Sequence, residues 1–234
     1  ESSFPRARVV NDYVVGGGPG SYEAFEEIGF SHGFGRLEAN RELVEWMRRY
    51  NADPSHQVKL QFYAFDGPTE MTGSDSPRLL LHFVLDYLAS IDGADGLARR
   101  KRFDQLLGED SDWENSAAMM DPSQSMGLSL EAKALRIETE ELISELLVRR
   151  PELAAKGGKD RYLEAVQYAL IARHLLNYHA ILARDSGDRL VGGLALRDYM
   201  MAVNLEYIVS RERGRGKVLA FAHNSHLKRG IAEW

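Results

Sequence analysis

Two imidazoles three positions apart, His223 and His226, stand in the segment His223-Asn224-Ser225-His226. They follow five consecutive apolar residues, Val218-Leu219-Ala220-Phe221-Ala222. Such a run reads as a short strand buried on both faces. Open α/β sheets bind ligands where strands release the chain at their carboxyl edge. His223 and His226 are therefore expected on a turn at that edge, facing a cleft. Histidine can take a proton from water near neutral pH, and a carboxylate can fix its tautomer. The plainer alternative, two polar residues capping a strand, stays open at this point.

Other residues offer weaker chemistry. Val58–Ala64 alternates and then turns aromatic, a second strand pattern that ends at Phe65-Asp66-Gly67. Asp66 could hold a cleft residue in place or simply cap a loop. His32 lies in the glycine-flanked loop Gly29–Gly35, where it is either a ligand contact or a solvated turn residue. Arg197 and Asp198 open a helical pattern, as cleft charges or as a salt bridge. Arg41 and Trp46 are expected to pack their stem and ring on the core. His174 and His179, five apart on one helix, do not align on a face and read as surface or satisfied core residues.

Several familiar chemistries are missing. No Gly-x-Ser-x-Gly elbow occurs, so a serine-nucleophile triad has no support. The turn Gly16-Gly17-Gly18-Pro19-Gly20-Ser21 puts Ser21 where a dinucleotide fold needs its third glycine, and no P-loop Lys-Ser/Thr follows. With no cysteine there are no disulfides and no thiolate sites.

Composition bounds the rest. A chain of 234 residues, 44% hydrophobic and 27% charged, can bury a real core as one domain. A net charge of -6 argues against a nucleic-acid surface. The longest apolar stretch, Val166–Ala183, is interrupted by Arg173, His174, Asn177 and His179, so no membrane span is expected. The expectation is a soluble, cytoplasmic protein.

The elements that must position these residues follow from periodicity. Helices are expected over Pro5–Val15, Ser21–Ile28, Leu37–Tyr50 and Arg78–Ile91. Ser129 is placed to N-cap a long helix closed by Pro151, and a second long helix runs from about Asp160 to Ala183. The short link between them implies an antiparallel hairpin. A third helix, Leu194–Arg211, leads into the strand before His223. The fold class is α/β, a core sheet with flanking helices and a large helical-hairpin insertion. The chain reads as one domain, 1–234, with a helical subdomain at 95–190.

Five segments, in order, resemble the erythromycin esterase family. They are Glu1-Ser2 with Val10-Asn11-Asp12-Tyr13-Val14; Asn40-Arg41-Glu42-Leu43-Val44-Glu45-Trp46-Met47-Arg48 with Tyr50-Asn51; Phe62-Tyr63-Ala64-Phe65-Asp66; Arg197-Asp198-Tyr199-Met200-Met201-Ala202 with Asn204; and Ala222-His223-Asn224-Ser225-His226. Family members also carry an earlier strand with a Gly-Glu…His-Gly segment that holds the general-base histidine, and they continue past the His-Asn-x-His motif. The chain is accordingly read as the middle of a family member, truncated at both ends and impaired in activity.

What the resemblance implies is hydrolysis of a small-molecule ester, a macrolactone among the candidates, by water activated by histidine. Macrolide resistance is one role open to such an enzyme. The catalytic assignments are Glu1, which would orient a histidine or position water, with His223 and His226 at the ester carbonyl or its oxyanion. His32, Asp66, Arg197 and Asn224 are assigned to substrate binding, with no metal and no cofactor. Two alternatives stay open: a non-catalytic domain that binds a hydrophobic ligand, and a metal-dependent hydrolase with His223, His226 and Glu1 as an open zinc site.

Overall fold

A computed structural model describes residues 2–70 and 73–227. Its helices are α1 (Ala7–Val14), α2 (Glu38–Ala52), α3 (Arg78–Asp92), α4 (Ala94–Leu107), α5 (Asp110–Trp113), α6 (Leu130–Val148), α7 (Arg150–Gly157), α8 (Lys159–Leu182), α9 (Arg189–Glu212) and α10 (Asn224–Leu227). Strands β1 (Thr69–Glu70) and β2 (Gly73–Ser74) pair antiparallel, Thr69 opposite Ser74 and Glu70 opposite Gly73. The chain divides into two units, residues 1–66 with 201–234, and residues 67–200.

In the first unit, α1 and α2 each bury one face. On α2 that face is Val44, Met47 and Asn51, while Leu43 and Trp46, which the spacing also suggests as apolar-face residues, are exposed. Val10, Tyr13 and Val14 of α1 meet Val44 and Met47 of α2, and Tyr22, Phe25 and Phe30 complete this core. Tyr13 donates to Glu45 Oε1 at 2.6 Å while the Arg48 guanidinium lies 3.9 Å from its ring centre. Burial first, and then the Glu45 carboxylate, raise the Tyr13 phenol above its ordinary pKa. Residues 21–28, expected as a helix, form turns. Gly35 explains the interruption: a Cβ there would lie 1.8 Å from Glu26 O, so the chain folds back onto this stretch.

The expected core sheet is not formed among the described residues, which hold the β1–β2 pair and one parallel bridge, Ser3 to Asp66. Val58–Ala64 is not a strand, because side chains stand where a neighbouring strand would. Leu60 N donates to Asn51 Oδ1 at 2.7 Å, and Asn51 Nδ2 donates to Leu60 O and Val14 O at 2.9 Å. Phe62 N donates to Asn11 Oδ1 at 2.8 Å. Two residues beyond this stretch, Asp66 N donates to Ser2 O at 3.2 Å and Phe4 N to Asp66 O at 2.9 Å. Lys217–Ala222 is not a buried strand either. Leu219 is 92% and Phe221 83% exposed, and the segment enters no sheet among the described residues. Five apolar residues specify an extended chain, but a strand requires a partner to take its backbone groups.

The second unit is helical. Helix α8 buries residues around most of its circumference, from Tyr162 to Leu182, as a helix at the centre of a bundle must. Helices α3, α6 and α7 pack against it. The Ser129 side chain caps α6 by accepting from Ala132 N at 3.0 Å. Tyr162 donates to Leu146 O at 3.1 Å, and Arg173 pairs with Glu140 at 2.6 Å, so α6 and α8 run antiparallel as the hairpin pattern implied. Pro151 opens α7 within its first turn, where a missing N–H costs nothing.

His179 is fully buried in α8, donating Nε2 to Asp75 O at 3.1 Å and meeting the Trp113 ring edge-on. Burial holds its pKa down at about 4, so the folded chain keeps it neutral. The unfolded chain takes up that proton near the ordinary value of about 6.5. Stability is therefore expected to fall as pH drops from 6.5 toward 4, by roughly 3 kcal/mol from this group. Urea unfolding across that range, compared with His179→Gln, checks it: the variant should lose several-fold less. Equal losses would show that other groups carry the acid sensitivity.

Candidate functional site

Asp66 is the most deeply placed of the candidate residues, with no exposed surface. Its main chain is fixed by Ser2 and Phe4 on one side and by α9 on the other. From α9, Asn204 Nδ2 donates to Phe65 O at 3.1 Å and to Asp66 O at 3.4 Å. Three buried serines tie the neighbouring chain together. Ser3 N donates to Ser31 Oγ at 3.0 Å, and Ser31 N donates to Ser2 Oγ at 3.3 Å. The hydroxyl of Ser3 is itself buried, with no hydrogen-bond partner among the described residues. Asp66 thus sits beside these buried serines inside the first unit, where removal from water makes each oriented dipole count for more.

His32 follows Ser31 directly, at φ 58°, and Gly33 continues at φ 70°. A side chain in the left-handed region is uncommon outside glycine, although histidine is among the residues that tolerate it best. The turn puts the His32 ring 5.5 Å from that of Phe34. Sequence reasoning placed His32 on a loop, and the structure joins that loop to the Asp66 neighbourhood through Ser31.

His223 and His226 take a different backbone from the one expected. The residues after Ala222 form one helical turn, α10, in which His226 N donates to His223 O at 3.0 Å. His223 precedes the turn and His226 lies within it. His223 and Asn224 are exposed and His226 is half-buried. The strand edge expected to carry them is replaced by an exposed irregular segment and this turn.

Arg197 belongs to the second unit, on α9, and is 8% exposed. Glu1 lies outside the described residues. His174 is part-buried with its ring edge-on to Tyr199 at 5.2 Å, and burial, then Arg173, lowers its pKa. It and His179 are packing residues, as their spacing implied. Among the described residues no three His, Asp or Glu side chains stand together as metal ligands. No helix among them is long and apolar enough to cross a membrane.

Sequence reasoning missed Ser2, Ser3 and Ser31, whose bonds join residues 28 and 29 positions apart. It also gave no role to the amides of Asn11 and Asn51. There a signal existed: asparagine is a poor helix former, and both lie inside helices. Tyr63 is a further half-buried group, donating to Glu212 Oε1 at 2.7 Å. Burial and that carboxylate push its pKa up to about 12, so it is a standing hydrogen-bond donor.

A family model described as erythromycin esterase matches residues 1–234. A comparison with curated proteins gives no significant match. Two solved structures share the fold. A mutant of the erythromycin esterase EreC in its open conformation is 16% identical, with a TM-score of 0.58 over 92% of this chain and 49% of that one. A succinoglycan biosynthesis protein is also 16% identical, with a TM-score of 0.57 over 90% of this chain and 44% of that one. The chain spans about half the length of the structures it resembles.

Proposed function

The chain belongs to the erythromycin esterase family, and from that membership we propose that it serves a hydrolase that opens a carboxylic ester with water activated by histidine. The observation that carries this is the family match along the whole of residues 1–234. The substrate is a small-molecule ester, with a macrolactone as the leading class.

In the reaction, water attacks the carbonyl carbon as a histidine accepts its proton. The tetrahedral oxyanion then collapses, the carbon–alkoxy bond breaks, and the alkoxide recovers a proton. The products are a carboxylic acid and an alcohol, which for a macrolactone are the two ends of one ring-opened molecule. His223, just before the turn, and His226, within it, act at the ester carbonyl or its oxyanion. Glu1 orients a histidine or the water. Asp66, held from both sides of its backbone, supports the site from within the first unit, and His32 and Asn224 of the same unit contact the substrate.

The test is macrolactone hydrolysis followed by mass spectrometry, with His226→Ala beside the wild type. The assay uses the 234-residue chain and any longer polypeptide that carries it. Loss of one oxyanion donor costs about 10²–10³-fold in turnover. Gain of one water that the folded variant slows by that factor supports the assignment. No turnover across macrolactones and simple esters overturns the proposed activity, and turnover untouched by the substitution removes His226 from the site.

A further inference from the structure

Helix α2 has a second face that the core does not use. Glu42, Leu43, Trp46 and Arg49 are exposed along it and Tyr50 partly so, with Leu43 and Trp46 each 48% exposed. The charges on the inner flank are engaged: Glu45 with the Tyr13 hydroxyl, Arg48 over the Tyr13 ring, Arg41 with Glu23. Glu42 and Arg49 have no side-chain partner among the described residues. The aromatic part of the face is held in place. His56 stacks on Tyr50 at 3.6 Å, its Nδ1 donates to Tyr50 O at 2.9 Å, and the Trp46 ring lies 5.8 Å from Tyr50. Rings ordered in advance lose little entropy when a partner covers them.

The order of these residues is self-complementary. An α-helix turns about 100° and rises about 1.5 Å per residue. With Trp46 at the centre, Glu42 and Arg49 fall to one side and Leu43 and Tyr50 to the other, all within about 60°. Glu42 lies about 6 Å below Trp46 and Arg49 about 4.5 Å above it. A two-fold axis at Trp46, perpendicular to the helix, inverts height and preserves side. It brings Glu42 of one copy to Arg49 of the other twice, Leu43 to Tyr50 twice, and Trp46 to its own equivalent. A parallel two-fold pairing keeps height and exchanges sides, setting Glu42 against Leu43 and Arg49 against Tyr50 with no charge pair formed.

We propose that this outer face of α2 is a self-association surface, through which two copies of the chain pair as an antiparallel, two-fold symmetric dimer. Closed two-fold dimers of this isologous kind are the commonest soluble oligomers. The occupant is a second copy because the face carries both halves of its own charge pair, spaced for inversion about its central tryptophan.

Sedimentation equilibrium of the 234-residue chain, up to about 300 µM, tests it with four variants. Wild type should dimerise in that range and Trp46→Arg should be monomeric. Glu42→Arg and Arg49→Glu should each weaken the dimer by about tenfold. The double variant, Glu42→Arg with Arg49→Glu, should recover to within about threefold of wild type, because the inverted pair meets again. A wild type that stays monomeric overturns the proposal, as does a dimer indifferent to Trp46→Arg. A double variant no tighter than either single one rules out the antiparallel pairing. Circular dichroism controls for folding, and if Trp46→Arg does not fold, the charge series decides alone.

Discussion

Gly127→Ala is expected to unfold the helical unit under conditions where the wild-type chain is folded. Gly127 lies in the 3-10 turn Met126–Leu128, against the last turns of α8. An added Cβ would stand 2.1 Å from His179 O, 2.2 Å from His179 C and 2.6 Å from Ala180 N. All three are main-chain atoms of the most buried helix in the unit, so no rotamer change relieves the clash. The turn would have to leave α8, breaking the bond from Ser125 Oγ to His179 O at 3.1 Å. Ordinary overpacking costs about 1–3 kcal/mol, and parting two backbones should cost about 4 kcal/mol or more. That is a large share of a typical domain's stability of about 5–15 kcal/mol. Gly187→Ala is the control, since a Cβ there meets nothing within 4 Å. Thermal and urea unfolding should separate the two variants widely, and similar losses would refute the close approach.

Asn51→Leu should be nearly as costly, for the opposite reason: the volume is conserved and the bonds are lost. One amide serves three main-chain groups, accepting from Leu60 N and donating to Leu60 O and Val14 O. Asn51 is 8% exposed, so water has poor access to replace it. A buried polar group left without a partner costs about 1–3 kcal/mol, and three together should destabilise by about 4 kcal/mol. Asn51→Asp sharpens the test. It keeps an acceptor for Leu60 N but turns a carboxylate on two carbonyls, so it should be destabilised at neutral pH and partly rescued when the carboxyl protonates. Hydrogen exchange at the Leu60 amide should accelerate in Asn51→Leu. An unchanged exchange rate would mean that another group holds this segment.

The helices were legible because their signals are local. Ser129 sits one residue before an apolar period, and α2, α3 and α8 announce themselves by spacing. The two strands were misread because an apolar or alternating run specifies extension, whereas a sheet depends on what lies alongside. Beside Val58–Ala64 lie two asparagine side chains, and Lys217–Ala222 exposes the residues that a buried strand would cover. The site was legible in part. Asp66 and His32 could be picked out as polar residues at the ends of patterned segments, and the structure links their neighbourhoods through Ser2, Ser3 and Ser31. Those serines carry no pattern of their own; only the fold brings residues 3 and 31 together.

The two asparagines have a consequence for how this sequence can vary. Asn11 and Asn51 address the peptide units of residues 60 and 62, never their side chains. The alignment of that stretch is therefore stored at two helix positions, nine and 51 residues away along the chain. Residues 60 and 62 are free to drift among types that suit their half-buried surroundings, with one exclusion: proline, which has no N–H to offer. A family history of this region should show substitution in the extended segment and constancy in the helices that hold it.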